Sequence, residues 1–180
     1  WNVTPDLMPL AKGITSGYWP TGACVATDNV FSAFQGGPET TYAHGFTYGG
    51  HPAAGAAGLA NAAIMEREDL PGNAARMGKR MLDRLEGLRK HANVGDVRGM
   101  GLLCAVELVK DKTTKEPFTA IDGAGKMLND RITERGMLTR AGGNIVLLVP
   151  PLTVTEQEVD EMVDIVDAAI SDVEAYFGLG

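Results

Sequence analysis

The stretch that decides the fold is residues 6–18, which read DLMPLAKGITSGY. An apolar run ends abruptly in a glycine, serine and threonine turn, and a single basic residue, Lys12, stands at the junction. A lysine that is desolvated loses its proton more readily and becomes an amine nucleophile, the form that makes Schiff bases with carbonyls. The pattern predicts a buried strand over residues 6–12 whose lysine projects into a cleft. A surface lysine that begins a loop is the alternative, and composition alone favours it.

Composition limits the classes of protein that fit. The 180 residues are enough for one domain, or for one domain and part of another. They are 44% hydrophobic and 22% charged, as in a soluble globular protein. With 16 basic and 23 acidic residues and no basic cluster, a nucleic-acid partner is not expected. No apolar run approaches the roughly 20 residues that cross a bilayer, so no membrane span is expected.

Cysteine and histidine residues give no sign of a metal site. Cys24 and Cys104 both lie in apolar, strand-like segments, which predicts two reduced, buried thiols in a cytoplasmic protein. His44 and His51 flank a glycine loop with no cysteine or carboxylate nearby, so we expect no metal. His91 follows the end of a predicted helix, and we expect it to face solvent.

Hydrophobic periodicity and turn residues predict alternating strands and helices. The first part has few charges and many alanines and glycines, and its alanine-rich helix is expected to be buried against a neighbour. The predicted elements here are strands 6–12 and 22–27, a short helix near 29–34, a long loop over 35–50 and a helix over 51–67. A loop of this length in a compact domain is usually functional or disordered.

The remaining residues predict an α+β arrangement with charged helix faces. The predicted elements are an amphipathic helix over 69–90, one strand over 97–109, a helix over 120–135, a strand over 144–149 and a last helix from Thr155. Gly99 and Gly101 are interpreted as a bend or bulge within the strand 97–109. Gly136 is a suitable C-cap, and Thr155 with Glu158 forms a capping box. The acidic residues of the last helix are interpreted as a solvated face.

The change in composition near residue 68 predicts a domain boundary. Residues 1–68 offer two strands and one long helix, which cannot close a core alone, so we interpret them as part of a larger α/β domain. Residues 69–180 are interpreted as a small α+β domain. The sequence starts at a tryptophan rather than a methionine, and we expect it to be part of a longer protein.

A second segment with chemical potential is residues 44–52, which read HGFTYGGHP. It places the Thr47 hydroxyl and several sterically open backbone amides just before a predicted helix start. Free N–H groups at a helix N-terminus attract phosphate, and glycine allows a ligand to approach the backbone closely. The alternative is a glycine-rich turn in which threonine only caps the helix.

Taken together, these segments resemble one family, the class III aminotransferases, which are pyridoxal-phosphate enzymes of fold type I. Residues 5–18, with Pro20, Gly22 and Ala23 after them, are similar to the family's Schiff-base lysine segment, and residues 44–52 to its phosphate-contacting loop. Residues 97–102 and 136–152 resemble strands of its small domain. The similarity runs in order over nearly all of the chain and is greatest to the omega-amino acid–pyruvate transaminases.

The resemblance implies a fold and a set of site residues. The chain would be the C-terminal portion of the fold, with residues 1–68 from the large cofactor-binding domain and residues 69–180 as the small domain. Lys12 would hold pyridoxal 5′-phosphate as a Schiff base and later carry the proton between two carbons. Thr47 would bind the phosphate of the neighbouring subunit's cofactor in a homodimer or a tetramer, and Phe46 would line the cofactor and substrate pocket beside it.

Two arginines remain to be assigned. Arg140, in residues 139–143, aligns with an arginine that pairs with the substrate carboxylate, a task that suits the planar guanidinium. A surface arginine in a glycine-rich turn fits the sequence equally well. Arg98 is expected to be structural.

The family's first half has no counterpart here. It supplies the phosphate cup, the aromatic ring stacked on the cofactor and the aspartate that pairs with the pyridine nitrogen. The chain alone is therefore not expected to be a competent transaminase without that missing N-terminal half.

The reaction implied is transfer of an amino group from an omega-amino acid, diamine or amine to pyruvate or a similar keto acid. The alternatives are an aminomutase or another reaction of the same family, and a non-catalytic half that acts as an assembly module.

Overall fold

The structure is a computed structural model that describes residues 2–179. The chain divides into two compact units, with the division between Glu68 and Asp69. Among the residues described, no helix combines the length and the apolar character needed to cross a membrane.

The first unit is built on a two-stranded antiparallel sheet and one long helix. Strands β1 (Leu7–Leu10) and β2 (Ala23–Ala26) pair with Leu7 opposite Ala26. A 3₁₀ turn, Lys12–Ile14, follows β1, and the short helix α1 (Asp28–Ser32) follows β2. The long helix α2 spans Pro52–Arg67. These elements confirm the two predicted strands, the short helix and the helix start at the proline.

Burial in the first unit differs from the prediction. Thr15, 2% exposed, is the one buried residue among residues 2–68 as the structure describes them. The predicted burial of residues 6–12 and of the alanine-rich helix is wrong for this structure, in which Leu59 of α2 is 76% exposed. The reason is that a two-stranded sheet and one helix provide no second layer to enclose an apolar face.

The second unit contains a four-stranded antiparallel sheet. Its strands are β3 (Val94–Met100), β4 (Leu103–Leu108), β5 (Arg140–Gly142) and β6 (Ile145–Leu148), in the spatial order β3-β4-β6-β5. The prediction of one strand over 97–109 is wrong, because the segment turns at Gly101, whose φ is +54°, and Met100 pairs with Leu103. Strand β5 was not predicted, because three residues are too few to show an alternation of apolar and polar side chains.

Three helices complete the second unit. They are α3 (Leu70–Glu86), which continues as a 3₁₀ turn over Gly87–Lys90, α4 (Ala124–Glu134) and α5 (Glu156–Phe177). Helix α4 begins later than predicted, because the Asp122 carboxylate accepts hydrogen bonds from Thr119 and Gly123 precedes the helix with φ +71°. Gly136, with φ +89°, terminates it as predicted, and Thr155 and Glu158 form the predicted capping box.

The hydrophobic core lies between the sheet of the second unit and its helices. It includes fully buried side chains from α3, β4, α4, β6 and α5: Met81, Leu85, Val106, Leu108, Leu128, Ile132, Val146, Leu148, Val159, Val166 and Ile170. Helix α3 packs directly on the β3–β4 turn, since a Cβ placed on Gly78 would lie 2.2 Å from the Gly101 carbonyl carbon. Only glycine fits at that position.

Several acidic residues of α5 pair with basic residues of neighbouring elements, whereas the Glu156 and Asp164 side chains are mostly exposed, so the predicted solvated face is only partly correct. Asp160 accepts hydrogen bonds from Arg80 at 2.8 and 2.7 Å and forms an ion pair with Arg84 at 2.9 Å. These two guanidinium groups lower the pKa of the Asp160 carboxyl well below its usual value. Asp172, further along α5, pairs with Arg135 of the segment after α4 at 2.7 Å. The carboxylates therefore bridge α5 to its neighbours.

His91 and Cys24 also differ from prediction. His91 is 6% exposed, with Nδ1 at 2.7 Å from Glu174 and Nε2 at 2.5 Å from Asp167, so it does not face solvent. Cys104 is buried as predicted, and burial raises the pKa of its thiol, whereas Cys24 is exposed.

Candidate active site

The turn that carries Lys12 comes directly after strand β1. Lys12 has φ +53°, in the left-handed region that residues with a Cβ rarely adopt. Its side chain is exposed and has no hydrogen-bond or ion-pair partner among the residues that the structure describes. The predicted position at a strand end is confirmed. The predicted desolvation is not, because within its unit the sheet and α2 leave one side of the turn uncovered.

Two long backbone hydrogen bonds close the turn. Ile14 N donates to Ala11 O at 3.3 Å, and Thr15 N donates to Lys12 O at 3.4 Å. The buried Thr15 hydroxyl donates to Trp19 O at 2.6 Å, which folds the chain after the turn back on itself. Thr15 thus fixes the exit of the Lys12 turn.

Asn61, in the middle of α2, binds the same turn from the side. Its Nδ2 donates to Gly13 O at 2.8 Å and to Ile14 O at 3.2 Å, while its Oδ1 accepts from the Ser16 hydroxyl at 2.6 Å. The sequence analysis missed this residue. The signal that could have found it is a lone amide within an otherwise alanine-rich helical stretch.

Phe46 and Thr47 lie in the loop that leads into α2. Phe46 is 77% exposed and meets the His44 ring edge-on at 4.9 Å. A turn follows, in which Gly49 N donates to Phe46 O at 2.9 Å. The Thr47 side chain is exposed and has no hydrogen-bond partner among the residues described. A Cβ on Gly45 or Gly50 would meet nothing within 4 Å, so the backbone here is open to a ligand.

Helix α2 is capped by His51, not by Thr47. The Ala53 N–H donates to His51 Nδ1 at 3.2 Å, and Pro52 occupies the first helical position. Thr47 therefore does not cap the helix, and its hydroxyl is free of that task. The His51 ring also stacks on Trp19 with centroids 4.7 Å apart. This stack joins the start of α2 to the segment that follows Lys12.

A groove of about 900 Å³ opens within the first unit. Its walls come from the β2 end of the hairpin, the loop before α2 and the first turns of α2, with Cys24, Phe46, Tyr48, His51 and Leu59 among its lining residues. Lysine, arginine, aspartate and glutamate are absent from that lining. Lys12 and Thr47 do not line it either, so the groove alone is not the candidate site.

Arg140 belongs to the second unit and is the first residue of β5, opposite Leu147. It therefore lies on an edge strand rather than in a turn. Its side chain is exposed, has no ion-pair partner within the described part of the chain, and lines a pocket of about 480 Å³ with Leu138, Pro151 and Met162.

Arg98, by contrast, donates to Asp96 of its own strand β3 at 2.8 Å and to Glu107 of the paired strand β4 at 2.7 Å. These contacts fit the structural role expected of it. Within residues 2–179, no group of three or more histidine, cysteine, aspartate or glutamate side chains is arranged to hold a metal ion.

Comparison with known proteins decides the family. The pattern of the class-III aminotransferases matches residues 1–170. The chain belongs to this family. The taurine–pyruvate aminotransferase of Bilophila wadsworthia is 42% identical over 188 residues, covering 99% of this chain and 41% of that protein. The putrescine–pyruvate aminotransferase of Pseudomonas aeruginosa is 39% identical, covering 88% of this chain and 34% of that protein.

Solved structures agree with the family and with the mixed α/β fold. An amine transaminase from an uncultivated Pseudomonas species, in its PLP-bound form, superimposes with a TM-score of 0.91 and 43% identity over 96% of this chain and 40% of that one. An omega-transaminase from Thermomicrobium roseum gives a TM-score of 0.86 and 40% identity over 95% of this chain and 38% of that one. The chain thus spans about two-fifths of the length of these class III aminotransferases.

Proposed function

We propose that this chain is the C-terminal part of a pyridoxal-phosphate-dependent transaminase. It would move an amino group from an omega-amino acid, a diamine or another amine to pyruvate or a similar keto acid. Family membership and the names of the taurine–pyruvate and putrescine–pyruvate relatives support this substrate class. The observation that carries the proposal is the Lys12 amine, which has no partner among the described residues. Its turn is bound to helix α2, and the same helix begins directly after the open loop that contains Thr47.

The side chains of the first unit fit two parts of the cofactor. The Lys12 amine suits an aldehyde carbon, and the Thr47 hydroxyl and the open glycine backbone suit a phosphate. When bound, pyridoxal phosphate supplies an electron sink that labilises bonds to the substrate carbon attached to nitrogen. Of the aspartates in residues 2–68, Asp6 lies at 3.3 Å from the Thr27 hydroxyl and Asp28 starts α1. We infer that the partners of the pyridine ring come from outside this chain.

Lys12 would have two tasks. Its amine would hold the cofactor through the aldehyde carbon, and once free it would accept a proton from one carbon of the substrate adduct and return it to another. For the second task the amine must be neutral, which requires a dry environment. We propose that the rest of the protein covers the exposed side of the Lys12 turn and provides that environment.

The other three assignments come from the resemblance to the family, and the chemistry of the side chains suits them. Thr47 would donate a hydrogen bond to a phosphate oxygen in the site of a second copy of the protein, in a homodimer or a tetramer. Phe46, which already protrudes from its loop, would line the cofactor and substrate pocket beside it. Arg140 would bind the carboxylate of a keto acid through its planar fork, since its guanidinium is not engaged by a carboxylate among the described residues.

The two units have corresponding roles in this proposal. Residues 1–68 form the end of the large cofactor-binding domain, and residues 69–180 form the small domain that presents Arg140. The N-terminal part of the protein would supply the ring-stacking and nitrogen-binding groups. The isolated chain is accordingly expected to lack transaminase activity.

The test is Lys12→Ala in the complete protein. We expect loss of transamination and of the cofactor adduct that borohydride traps on the lysine, measured by assay and by peptide mass spectrometry. A matched control is Lys115→Ala, because Lys115 is also a left-handed lysine, with φ +61°, but lies in the second unit. The control should retain both properties. A Lys12→Ala protein that still turns over would refute the assignment.

The same preparation separates the alternatives. Formation of alanine from free pyruvate is expected of a transaminase and not of an aminomutase. If the complete wild-type protein neither forms alanine nor gives a borohydride-stable adduct at Lys12, a non-catalytic assembly role is the better description.

A further inference from the structure

We infer that Asn61 is a positioning residue for Lys12: its carboxamide holds the turn that presents the lysine amine. The inference rests on the proposed function, because it gives Lys12 the role of cofactor-binding amine. The hydrogen bonds of Asn61 to the turn involve the backbone carbonyls of Gly13 and Ile14 and the Ser16 hydroxyl, so it would act through the backbone that carries the lysine.

The Lys12 turn needs an external support. Lys12 and Ser16, at its two ends, both have left-handed φ angles, +53° and +49°. Such conformations are unfavourable for residues with a Cβ and persist only where surrounding contacts fix them. The turn's own 3₁₀ hydrogen bonds, such as Thr15 N to Lys12 O at 3.4 Å, are longer than the usual distance of about 2.9 Å.

Asn61 provides that support through three contacts. Its amide group binds the carbonyls of Gly13 and Ile14, the two residues directly after Lys12, at 2.8 and 3.2 Å. The Ser16 hydroxyl donates to the remaining amide oxygen at 2.6 Å, which fixes the orientation of the carboxamide. Because only an amide offers both donors and an acceptor on one planar group, a side chain of similar size without them cannot replace it.

The consequence for the chemistry is specific to the aldehyde. A turn that is free to relax would present the amine in several directions, so fewer molecules would hold it where the aldehyde carbon lies. Retention of pyridoxal phosphate depends on that bond. Pyridoxamine phosphate has an amine in place of the aldehyde, cannot condense with Lys12, and is held by its phosphate and ring alone. Loss of Asn61 should therefore weaken binding of the first compound and not of the second.

The chain offers a matched control in Asn73, on α3 of the second unit. Its Nδ2 donates to Leu152 O at 2.8 Å and to Val154 O at 3.0 Å, so it makes the same kind of helix-to-loop bridge at nearly the same distances. Removing Asn73 should cost a comparable amount of folding stability. It does not touch the Lys12 turn, so it separates a general structural effect from a positioning effect.

The experiment measures the dissociation constants of pyridoxal phosphate and pyridoxamine phosphate for the complete protein by equilibrium dialysis. In Asn61→Leu, loss of the three hydrogen bonds to the turn predicts at least about tenfold weaker binding of pyridoxal phosphate, with pyridoxamine phosphate unchanged to within about twofold. Asn73→Leu should leave the ratio of the two constants at the wild-type value. Slower borohydride trapping on Lys12 in Asn61→Leu is the second expected readout.

Two results would overturn the inference. One is equal weakening of both compounds by Asn61→Leu, and the other is a ratio that does not change. Should Asn61→Leu fail to fold, Ser16→Ala removes only the contact that orients the carboxamide, and it must shift the ratio in the same direction by a smaller factor. If Lys12→Ala does not itself alter the wild-type ratio, the proposed role of Lys12 fails, and the inference about Asn61 fails with it.

Discussion

The two units of this chain reach the folded state by different means. The second unit encloses a continuous core, in which Met81, Val106, Leu128 and Ile170 have no exposed surface. In the first unit, Thr15 is the one buried residue within the part described, although the strands and the long helix of this unit are as apolar in sequence as those of the second unit. The difference teaches that apolar composition does not produce a core unless a second layer covers the apolar face. The candidate catalytic residue Lys12 and the candidate cofactor-binding residue Thr47 lie in the unit that lacks this layer.

The polar contacts of the two units also have different roles. In the second unit, helix α5 is bound to α3 by ion pairs of Asp160 with two arginines, and to the end of α3 by the buried His91. In the first unit, the contacts of Asn61 and the stack of His51 on Trp19 join α2 to the Lys12 turn. The first set supports a core, whereas the second set arranges a loop.

The largest effect is expected when the units are separated. Residues 69–180 expressed alone should unfold cooperatively in urea, because their core is closed by their own elements. Residues 1–68 expressed alone should show no cooperative transition and weak amide protection in hydrogen exchange. Circular dichroism and exchange measurements test both. A cooperative transition in residues 1–68 would show that the difference in burial between the two units does not produce a difference in folding stability.

A substitution at the helix–turn contact tests the core of the second unit. Gly78→Ala would place its Cβ 2.2 Å from the backbone of Gly101, which a side-chain movement cannot relieve. We expect a loss of about 3 kcal/mol in the free energy of unfolding, the upper part of the range for overpacking. Gly87→Ala is the control, because a Cβ there meets nothing within 4 Å. Urea titration that finds the two variants equal would contradict this packing.

The smallest effect is expected from the ion pairs of α5. Because Arg80 and Arg84 lower the pKa of Asp160, its contribution to stability is fully present above the usual aspartate value of 3.8 and is lost as the pH falls through the lower folded-state pKa. The free energy of unfolding should therefore decline in acid. In Asp160→Asn it should start lower at neutral pH and decline less. Parallel pH profiles for the two proteins would rule out this contribution.

The sequence predicted those elements whose signals are local. The capping box of Thr155 and Glu158, the glycine after α4 and the proline that begins α2 all act within one helical turn, and the structure has them at the predicted positions. The β3–β4 hairpin was predicted as one strand because Gly99 and Gly101 were interpreted as a bend or bulge within it. A bend and a complete reversal leave the same pattern in sequence.

Contacts between distant residues could not be predicted in this way. The interpretation of His91 as solvent-facing failed because its two carboxylate partners lie on α5, 76 and 83 residues away. The Lys12 turn was recognisable from its glycine, serine and threonine residues. Its support by Asn61, however, comes from 48 residues further along the chain, and a lone amide in an alanine-rich helix does not by itself indicate which segment it binds.

The bridging carboxylates of α5 also have a consequence for biosynthesis. Helix α5 follows every other described element in the chain. The ion pair between Arg80 and Asp160 can therefore form only after Asp160, 80 positions later in the chain, has been synthesised. While the ribosome is still adding residues 156–177, the apolar sides of α3 and of the sheet remain open to solvent. The core of the second unit therefore cannot close until α5 has been synthesised.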